Sequence, residues 1–334
     1  MSFRTILLSL LLLSGVILLF SGFFNSKKLS KTQLVAFYNV ENLFDTIDDP
    51  HKSDNDYLPH SKLQWNNEKY KNKMDRISEV ISILNQDGMV LLGLAEIENR
   101  LVLENLVQQQ HKNKNTFAFI QEEGNDPRGI DVALLYNKTL FKPLFHKVLK
   151  PCWEGICLES RDVLAVKGLW NKDTVWVYVN HWPSRRAGQE ESEHKRILMS
   201  HVLKHSIDSV SKASPTSKII VMGDFNDLPS NTSMKELVSG SKLINLFEKE
   251  NLMDEGSLKY KKDWLLFDQI LVSNNLLVKS GRLMHYQEGS ASVFNPLFLH
   301  YKKDKKNGPY RTYRGQSYYG GYSDHFPVYL RVSY

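Results

Sequence analysis

"SKIIVMGDFNDLPS", residues 217–230, starts as a buried β-strand and ends in a cluster of polar residues. The apolar run from Ile219 to Met222 is followed directly by the segment GDFND (223–227). A protein core offers unpaired carboxylates and amides no hydrogen-bond partners, so burying them there is costly. The stretch is therefore either an ordinary turn or one side of a binding site.

The same change from apolar to polar residues recurs at other predicted strands. A single Asp or Asn at a strand end is more often a turn residue than a ligand. Ligands of α/β sheets, however, bind at the carboxyl ends of strands, carboxylates suit a hard cation, and histidines titrate near neutral pH. The set is therefore more informative than any member of it. Its members are Asn39, Glu96, His181, Asp224, Asn226, Asp324 and His325.

Strands and helices alternate early in the chain, and strands without helices follow later. Apolar residues recur at helical spacing over 66–84 and 190–210, which predicts two amphipathic helices. No repeat or Gly/Ser linker follows residue 30, and no phosphate-binding glycine motif is present. We therefore predict one α/β domain over residues 30–334, with packed sheets inside and helices outside. Besides the opening stretch, strands are predicted at 33–40, 89–97, 129–137, 174–182, 264–273 with Asp268 in its middle, and 324–332.

The net charge of +6 on 334 residues is mild and suits an anionic substrate without requiring one. Several of the positive charges lie in one segment, residues 301–314, where they alternate with tyrosines. Such a segment is either a solvated loop or a surface that holds phosphate and stacks bases. The residues concerned are Lys302, Lys303, Lys305, Lys306, Arg311 and Arg314, with Tyr301, Tyr310 and Tyr313.

The N-terminal segment, residues 1–29, differs from the rest of the chain. It contains no charge from Ile6 to Phe24, and three lysines follow this run. The run is long enough to span a bilayer and also resembles the apolar part of a secretory signal peptide. We therefore expect export, to the periplasm, the extracellular space or a membrane-anchored position, with the segment either cleaved or retained as an anchor.

The chain contains two cysteines, Cys152 and Cys157, within the segment PCWEGICLES (151–160). They are close enough in sequence to close a small disulfide loop in an oxidising compartment. The alternative is two free thiols near a turn. Neither C-x-x-C spacing nor paired histidines support a zinc site here.

Seven motifs together resemble the endonuclease/exonuclease/phosphatase family, whose members include DNase I-like nucleases. They occur in the family's order and cover roughly residues 33 to 332: YNVEN, GLAEIEN, RGIDVALLY, NHWPSRRAG, GDFND, FDQILVS and YSDHFPV. The resemblance implies a four-layer α/β sandwich, in which helices flank two mixed β-sheets. This fold agrees with the architecture predicted above from the strands and helices.

The resemblance also implies metal-dependent phosphoester hydrolysis and a role for each matching residue. Glu96 is expected to bind the metal, with Asn39 beside it and Asp324 completing the site. His325 is expected to be the general base and Asp268 its carboxylate partner. The other expected site residues are Asp224 and Asn226 at the phosphate, where Asp224 orients the nucleophile or protonates the leaving group, His181 as a second histidine with Asp131 as its acidic partner, and Arg161 and Arg185 as phosphate contacts.

The expected function is that of a Mg²⁺-dependent phosphodiesterase, a nuclease that cleaves nucleic acid, with Mn²⁺ or Ca²⁺ as alternative metals. A phosphatase or a phospholipid phosphodiesterase, similar to a sphingomyelinase, would use the same residues and is the alternative. A non-catalytic binding module is disfavoured because none of the polar strand-end residues is missing. The expected partners are a phosphodiester substrate and, through an uncleaved N-terminal segment, a membrane; no protein partner is inferred.

Overall fold

A computed structural model describes residues 32–112, 116–186, 188–250, 252, 256–280 and 283–334 of this protein. The predicted signal peptide or anchor, residues 1–29, lies outside the described residues, so its export role stays a prediction. Within the described ranges, no helix combines the length and the apolar character needed to cross a membrane.

The described chain folds into many β-strands and a smaller number of helices. The strands are β1 (Thr32–Leu43), β2 (Met89–Ile97), β3 (Phe117–Gln121), β4 (Asp131–Asn137), β5 (Phe141–Leu149), β6 (Cys152–Trp153), β7 (Ile156–Cys157), β8 (Val163–Trp170), β9 (Asp173–His181), β10 (Lys218–Asp224), β11 (Leu243–Asn245), β12 (Leu258–Tyr260), β13 (Asp263–Leu265), β14 (Asp268–Ser273), β15 (His285–Tyr286), β16 (Ser292–Val293), β17 (Tyr313–Arg314), β18 (Ser317–Tyr318) and β19 (Val328–Ser333). The α-helices are α1 (Asn67–Gln86), α2 (Arg100–Lys112), α3 (Gln189–Ala213), α4 (Thr232–Val238), α5 (Leu246–Lys249) and α6 (Asn274–Leu277). Short 3₁₀ turns cover Asn55–Tyr57, Leu297–Leu299, Tyr301–Lys303 and Lys305–Asn307.

Two mixed sheets form the centre of the molecule. The first has the strand order β15-β19-β1-β2-β4-β3, with β16 also paired to β19, and the second has the order β11-β14-β10-β9-β8-β5. Strand β1 runs parallel to β2 and antiparallel to β19. Strand β10 likewise runs parallel to β9 and antiparallel to β14. The carboxyl ends of β1 and β10 therefore lie beside the amino ends of β19 and β14.

Alternating side chains along β10 show how the layers are stacked. Ile220 and Met222 belong to the core that the two sheets share, whereas Ile219 and Val221 pack with residues of α3. A Cβ atom on Gly93 of β2 would come within 2.6 Å of the Met222 Sδ, so the sheets approach closely at this point. Apolar residues of α1 and α2, such as Ile77 of α1, pack on the first sheet. The result is the predicted four-layer α/β sandwich.

Two strand predictions place functional residues wrongly. The strand predicted over 264–273 is two strands, because β13 pairs with β12 while β14 pairs with β10, and Asp268 is the first residue of β14 rather than its middle. The strand predicted from residue 324 starts only at Val328. Pro327 has no N–H to donate to a sheet, and the Phe326 N–H donates outside the sheet to Ser257 O at 2.7 Å.

Candidate active site

The amide of Asn39 joins the two sheets at the edge where their strands end. Its Nδ2 donates to Glu96 Oε1 at 3.2 Å and to Asp224 Oδ2 at 3.0 Å, which links β2 of the first sheet to β10 of the second. Its side-chain oxygen accepts from the Glu41 N–H at 3.0 Å. Asn39, predicted to lie beside the metal, therefore orients two carboxylates and uses its own oxygen for the backbone.

Glu96 lies at an irregular point of β2. Its φ of +65° is unusual for a residue with a side chain, and the pairing with β4 shifts register between Ala95 and Ile97. Such bulges redirect a side chain at the rim of a sheet and are common beside functional sites. The second carboxylate oxygen accepts from the Asn42 N–H at 2.7 Å, and the side chain stays 15% exposed. Glu96 is thus fixed in direction while part of its side chain stays accessible.

His325 and Asp268 form a hydrogen-bonded pair. The Nδ1 of His325 lies 2.6 Å from Asp268 Oδ2, and Asp268 is fully buried. The other ring nitrogen, Nε2, lies 3.8 Å from Asp224 Oδ2 and 3.9 Å from Asp324 Oδ1. A carboxylate on one imidazole nitrogen fixes the tautomer and leaves the other nitrogen for proton exchange. This is the pairing that the resemblance implied.

Two serines that the sequence analysis did not select hold this pair in place. The Ser323 hydroxyl donates to Asn39 O at 2.7 Å and accepts from the His325 N–H at 3.0 Å. The Ser257 hydroxyl accepts from the Asp268 N–H at 3.1 Å. Both residues therefore position catalytic candidates through the backbone. The adjacency of Ser323 to Asp324 and His325 was the one available signal.

The charges of the pair perturb the pKa values around it. Burial and the nearby Asp268 raise the pKa of the Asp224 carboxyl to about 7. Burial opposes protonation of His325, but Asp268 and Asp224 outweigh it and raise the pKa of the imidazole well above its ordinary value. Clusters of buried groups with shifted pKa values are typical of active sites.

His181 approaches the same cluster from β9. Its Nε2 lies 3.7 Å from Asp224 Oδ2 and 3.9 Å from Glu96 Oε1. Burial, with the positive charge of Arg161 as a further cause, lowers the pKa of the imidazole well below its ordinary value, so the ring is neutral. Across the described residues, the buried Nδ1 has no hydrogen-bond partner.

The predicted acidic partner of His181, Asp131, therefore has another role. Its carboxylate accepts from the Gly124 N–H at 3.1 Å, and burial raises its pKa to about 8. Asp131 is the first residue of β4, and its carboxylate bonds to the backbone of the loop that precedes this strand. The prediction that Asp131 orients His181 is wrong in this structure.

Arg161, predicted to contact phosphate, supports the backbone instead. Its guanidinium donates to His181 O at 3.2 Å, to Trp182 O at 2.6 Å and to Asp126 Oδ2 at 2.9 Å. The residue is only 7% exposed. Because these donors are engaged within the protein, Arg161 positions the strand end that carries His181.

Arg185 also contacts protein rather than open space. Its Nε donates to Asn226 O at 2.7 Å, and its Nη2 donates to Asp227 Oδ1 at 2.5 Å. The Nε of Arg196 lies 2.7 Å from the other Asp227 oxygen. We call Asp227, Arg185 and Arg196 the arginine clamp. It neutralises a carboxylate that is 1% exposed and fixes the turn after β10, so the predicted phosphate contact of Arg185 is not seen.

The turn itself orients Asn226 and Asp224. Asn226 has a φ of +52°, its N–H donates to Asp224 Oδ1 at 2.9 Å, and its Nδ2 donates to Trp182 O at 3.0 Å. Phe225 between them is fully buried and packs edge-on against the Trp182 ring at 4.9 Å. Asn226, predicted to lie at the phosphate, is thus close to the site, and its amide shapes the turn.

Three predicted residues remain, Asp324 and the two cysteines. Asp324 is 30% exposed, and its Oδ2 accepts from Arg311 at 2.9 Å. Cys152 and Cys157 are joined in a disulfide that closes the hairpin of β6 and β7.

The donor set of this edge fits a hard divalent cation. Asp224, Asp268 and His325 each offer a ligand atom within 4.8 Å of the others, but Asp268 and His325 already bond to one another. Glu96 and Asp324 are the accessible carboxylates around that pair. Oxygen donors of this kind prefer Mg²⁺, Mn²⁺ or Ca²⁺ to softer metals. Glu96 and Asp324 are therefore the residues of this edge that could hold the ion.

Comparison with known proteins agrees with this geometry. Residues 34–334 match the family model described as the endonuclease/exonuclease/phosphatase family. No curated protein sequence matches the chain. Among solved structures, D. rerio TDP2 complexed with single-strand DNA product is 14% identical, with coverage of 90% of this chain and 98% of that chain and a TM-score of 0.54.

Two further solved structures show the same fold. A mannosyl-6-phosphatase of Bacteroides thetaiotaomicron is 16% identical, with coverage of 90% of this chain and 100% of that chain and a TM-score of 0.54. The human Nocturnin catalytic domain with bound sulfate anion is 15% identical, with coverage of 91% of this chain and 95% of that chain and a TM-score of 0.57. At such identities the likeness establishes the DNase I-like fold alone.

Proposed function

The chain belongs to the endonuclease/exonuclease/phosphatase family of phosphoester hydrolases, and we propose that it is a divalent-metal-dependent phosphodiesterase that cleaves nucleic acid. The observation that carries the proposal is the Asp268–His325 pair, whose free nitrogen faces Asp224 at 3.8 Å. A structural ion pair would have no need of a second buried carboxylate beside it. An acid–base centre for water attack needs such an arrangement.

The 3.8 Å between His325 Nε2 and Asp224 Oδ2 allows one water molecule to bond to both atoms. His325 and Asp224 together take up one proton of the water as its oxygen bonds to phosphorus, and the leaving oxygen departs with the electrons of the broken P–O ester bond and takes a proton from solvent. Because the two groups interact strongly, the proton belongs to the pair rather than to either residue. Neutral His181, whose Nε2 lies 3.7 Å from the same Asp224 oxygen, would donate from Nε2 to a phosphate oxygen.

A bound Mg²⁺, or Mn²⁺ or Ca²⁺, would neutralise phosphate oxygens and stabilise the charge that develops on them. Glu96 and Asp324 would hold the ion, and Asn39 keeps Glu96 in position. Arg311 holds the Asp324 carboxylate at 2.9 Å and so sets its direction.

Nucleic acid is the proposed substrate because of the surface near this centre. Segment 301–314 is basic and rich in tyrosine, and the net charge of the chain is +6. Such surfaces attract phosphate backbones and stack bases. D. rerio TDP2, which shares the fold, has been solved with a single-strand DNA product. A phosphatase is the second candidate, since the mannosyl-6-phosphatase has the same fold.

We propose in addition that the protein is exported. The disulfide between Cys152 and Cys157 is typical of an oxidising compartment. The apolar run before residue 25 agrees with this location. Cell fractionation of the full chain is the test, and recovery of the protein only in the cytosol would contradict export.

Hydrolysis assays test the proposed function. Wild type should cleave plasmid DNA, single-stranded oligonucleotides and bis-p-nitrophenyl phosphate with Mg²⁺, and EDTA should abolish all three activities. His325→Ala should lose activity, while Lys142→Ala, an exposed control on β5, should retain it. Faster hydrolysis of a sugar monophosphate than of any diester would favour the phosphatase. Equal rates for wild type and His325→Ala would overturn the assignment of the site.

A further inference from the structure

A cationic cavity of about 270 Å³ opens beside Asp324. Among the described residues that line it, Asp324 is the sole acid, and two tyrosines supply aromatic surface. The surplus of positive charge suits an anion, and the aromatic surface suits a planar group attached to that anion. The basic lining residues are Lys259, Lys261, Lys306, Arg311 and Arg314, and the tyrosines are Tyr301 and Tyr319.

Packing fixes the walls of this cavity. The Tyr301 ring lies edge-on to the Tyr319 ring at 5.2 Å. The Nζ of Lys259 lies 5.2 Å from the centre of the Trp264 ring and donates to Lys306 O. The hairpin of β12 and β13 is thus tied to the 3₁₀ turns over 301–307. These contacts hold the tyrosine rings and Lys259 in place before a ligand binds, which lowers the entropic cost of binding.

The cavity adjoins the catalytic centre through Asp324. Arg311, which lines it, bonds to Asp324 Oδ2 at 2.9 Å, and Asp324 Oδ1 lies 3.9 Å from His325 Nε2. The backbone of Leu258 in β12 also pairs with that of His325 in an isolated antiparallel β-bridge. A group in the cavity therefore lies one side chain away from the proposed point of cleavage.

We propose that this cavity is a subsite for a second phosphate and its nucleotide, on the same single strand as the cleaved bond. Lys261, Lys306 and Arg314 would contact the phosphate, and Tyr301 with Tyr319 would stack the base. Stacking needs an unpaired base, which is why the proposal specifies single-stranded nucleic acid. It rests on the proposed function, because the cleaved phosphate must occupy the neighbouring centre.

Binding without catalysis separates the two proposals. A 5′-labelled single-stranded oligonucleotide is titrated in EDTA and followed by fluorescence anisotropy at several salt concentrations. Lys261→Ala/Lys306→Ala removes two exposed charges of the cavity and touches no proposed catalytic residue. The matched control is Lys138→Ala/Lys142→Ala, two exposed lysines of a second surface depression, which lies beside β5 and β8.

The cavity variant should bind the oligonucleotide about tenfold more weakly than wild type, and the control should bind normally. Because both lysines are proposed to contact the same phosphate, their loss should also reduce the slope of log affinity against log salt by at most about 0.7, the value for one neutralised phosphate on a single strand. In turnover, the cavity variant should raise KM for the oligonucleotide and leave hydrolysis of bis-p-nitrophenyl phosphate unchanged, because that ester has no second phosphate.

Equal oligonucleotide affinities for wild type, cavity variant and control would overturn the subsite, whatever the enzyme hydrolyses. So would weakened binding to anionic phospholipid vesicles with unchanged oligonucleotide binding, which would assign the cavity to a membrane surface. Loss of turnover on both substrates alike would also contradict it. A wild type that binds the oligonucleotide through the cavity and hydrolyses no phosphodiester would refute the proposed function and leave the cavity as a binding site for single-stranded nucleic acid alone.

Discussion

Asp224 and Asp227 belong to the same short turn, yet the protein treats their charges in opposite ways. Both are buried, with 2% and 1% exposure. Asp227 is neutralised by the arginine clamp at 2.5 and 2.7 Å. Asp224 faces Asp268 and two histidines, and its pKa rises to about 7. The Asp227 carboxylate, which stabilises the turn, is neutralised by two arginines of the protein. The Asp224 carboxylate, which we assign to the reaction, has no such arginine and is left to interact with water, substrate and metal.

The largest expected effect is a loss of turnover when the catalytic network around Asp224 is changed. His325→Ala should lower kcat by about 10³-fold, because it removes the group that exchanges a proton with the attacking water. Thermal stability should fall as well, because the fully buried Asp268 carboxylate loses its partner at 2.6 Å. Initial rates on bis-p-nitrophenyl phosphate and thermal unfolding curves measure both quantities.

The control for this variant is His201→Ala. His201 pairs with Glu236 at 2.8 Å on the surface and lies outside the catalytic network. It should leave the rate unchanged. A comparable loss of rate in both variants would remove the distinction between a catalytic and a surface histidine.

The largest effect on the Asp227 side concerns stability. Arg196→Met should cost about 3–5 kcal/mol of unfolding free energy, because it leaves one buried charge of the clamp poorly compensated. The rate per folded molecule should stay within about threefold of wild type, as Arg196 touches no proposed catalytic group. Urea unfolding measures the first quantity, and turnover normalised to folded protein measures the second.

Arg100→Ala provides the matched control for Arg196. Its pair with Glu104 at 2.9 Å is exposed, so its loss should cost at most about 0.5 kcal/mol. An Arg196→Met variant that is as stable as Arg100→Ala would show that the clamp contributes nothing to the fold.

The contrast also shows what a sequence can and cannot reveal. Alternating and continuous apolar runs predicted the sheets and their layering, because burial follows directly from the pattern. The strand-end set brought Asn39, Glu96, His181, Asp224 and His325 to one edge as expected. These residues could be predicted because each lies where a predicted strand changes from apolar to polar residues, and that change is visible in the local sequence.

Partner choice between distant residues was less predictable. Arg161, Arg185 and Asp131 were expected to serve phosphate or His181, and each bonds to backbone or carboxylate groups of the protein. Which acceptor a long side chain reaches depends on loops that meet only after folding. The pairing of the strands was also not predictable. Strand β13 pairs with β12 and β14 pairs with β10, so the predicted strand is interrupted at residues 266–267 and Asp268 begins β14.

A smaller effect is the pH dependence of stability without metal. The folded pKa of Asp224, about 7, lies above its unfolded value of about 3.9, so its contribution is fully present below pH 4 and is lost as pH rises towards 7. Relative to wild type, Asp224→Asn should gain up to about 1.4 kcal/mol per pH unit between pH 4 and 7 in EDTA. Urea midpoints at several pH values measure this gain, and a constant difference would contradict the raised pKa.

Asp224→Asn and Asp227→Asn, measured side by side for unfolding free energy and for turnover per folded molecule, test the contrast most directly. Asp224→Asn should match or exceed the stability of wild type and lose at least about 10²-fold in turnover with Mg²⁺. Asp227→Asn should lose about 3–5 kcal/mol and keep its turnover per folded molecule. A stable but inactive Asp227→Asn, or an unstable but fully active Asp224→Asn, would contradict the assignment of one carboxylate to the reaction and the other to the fold.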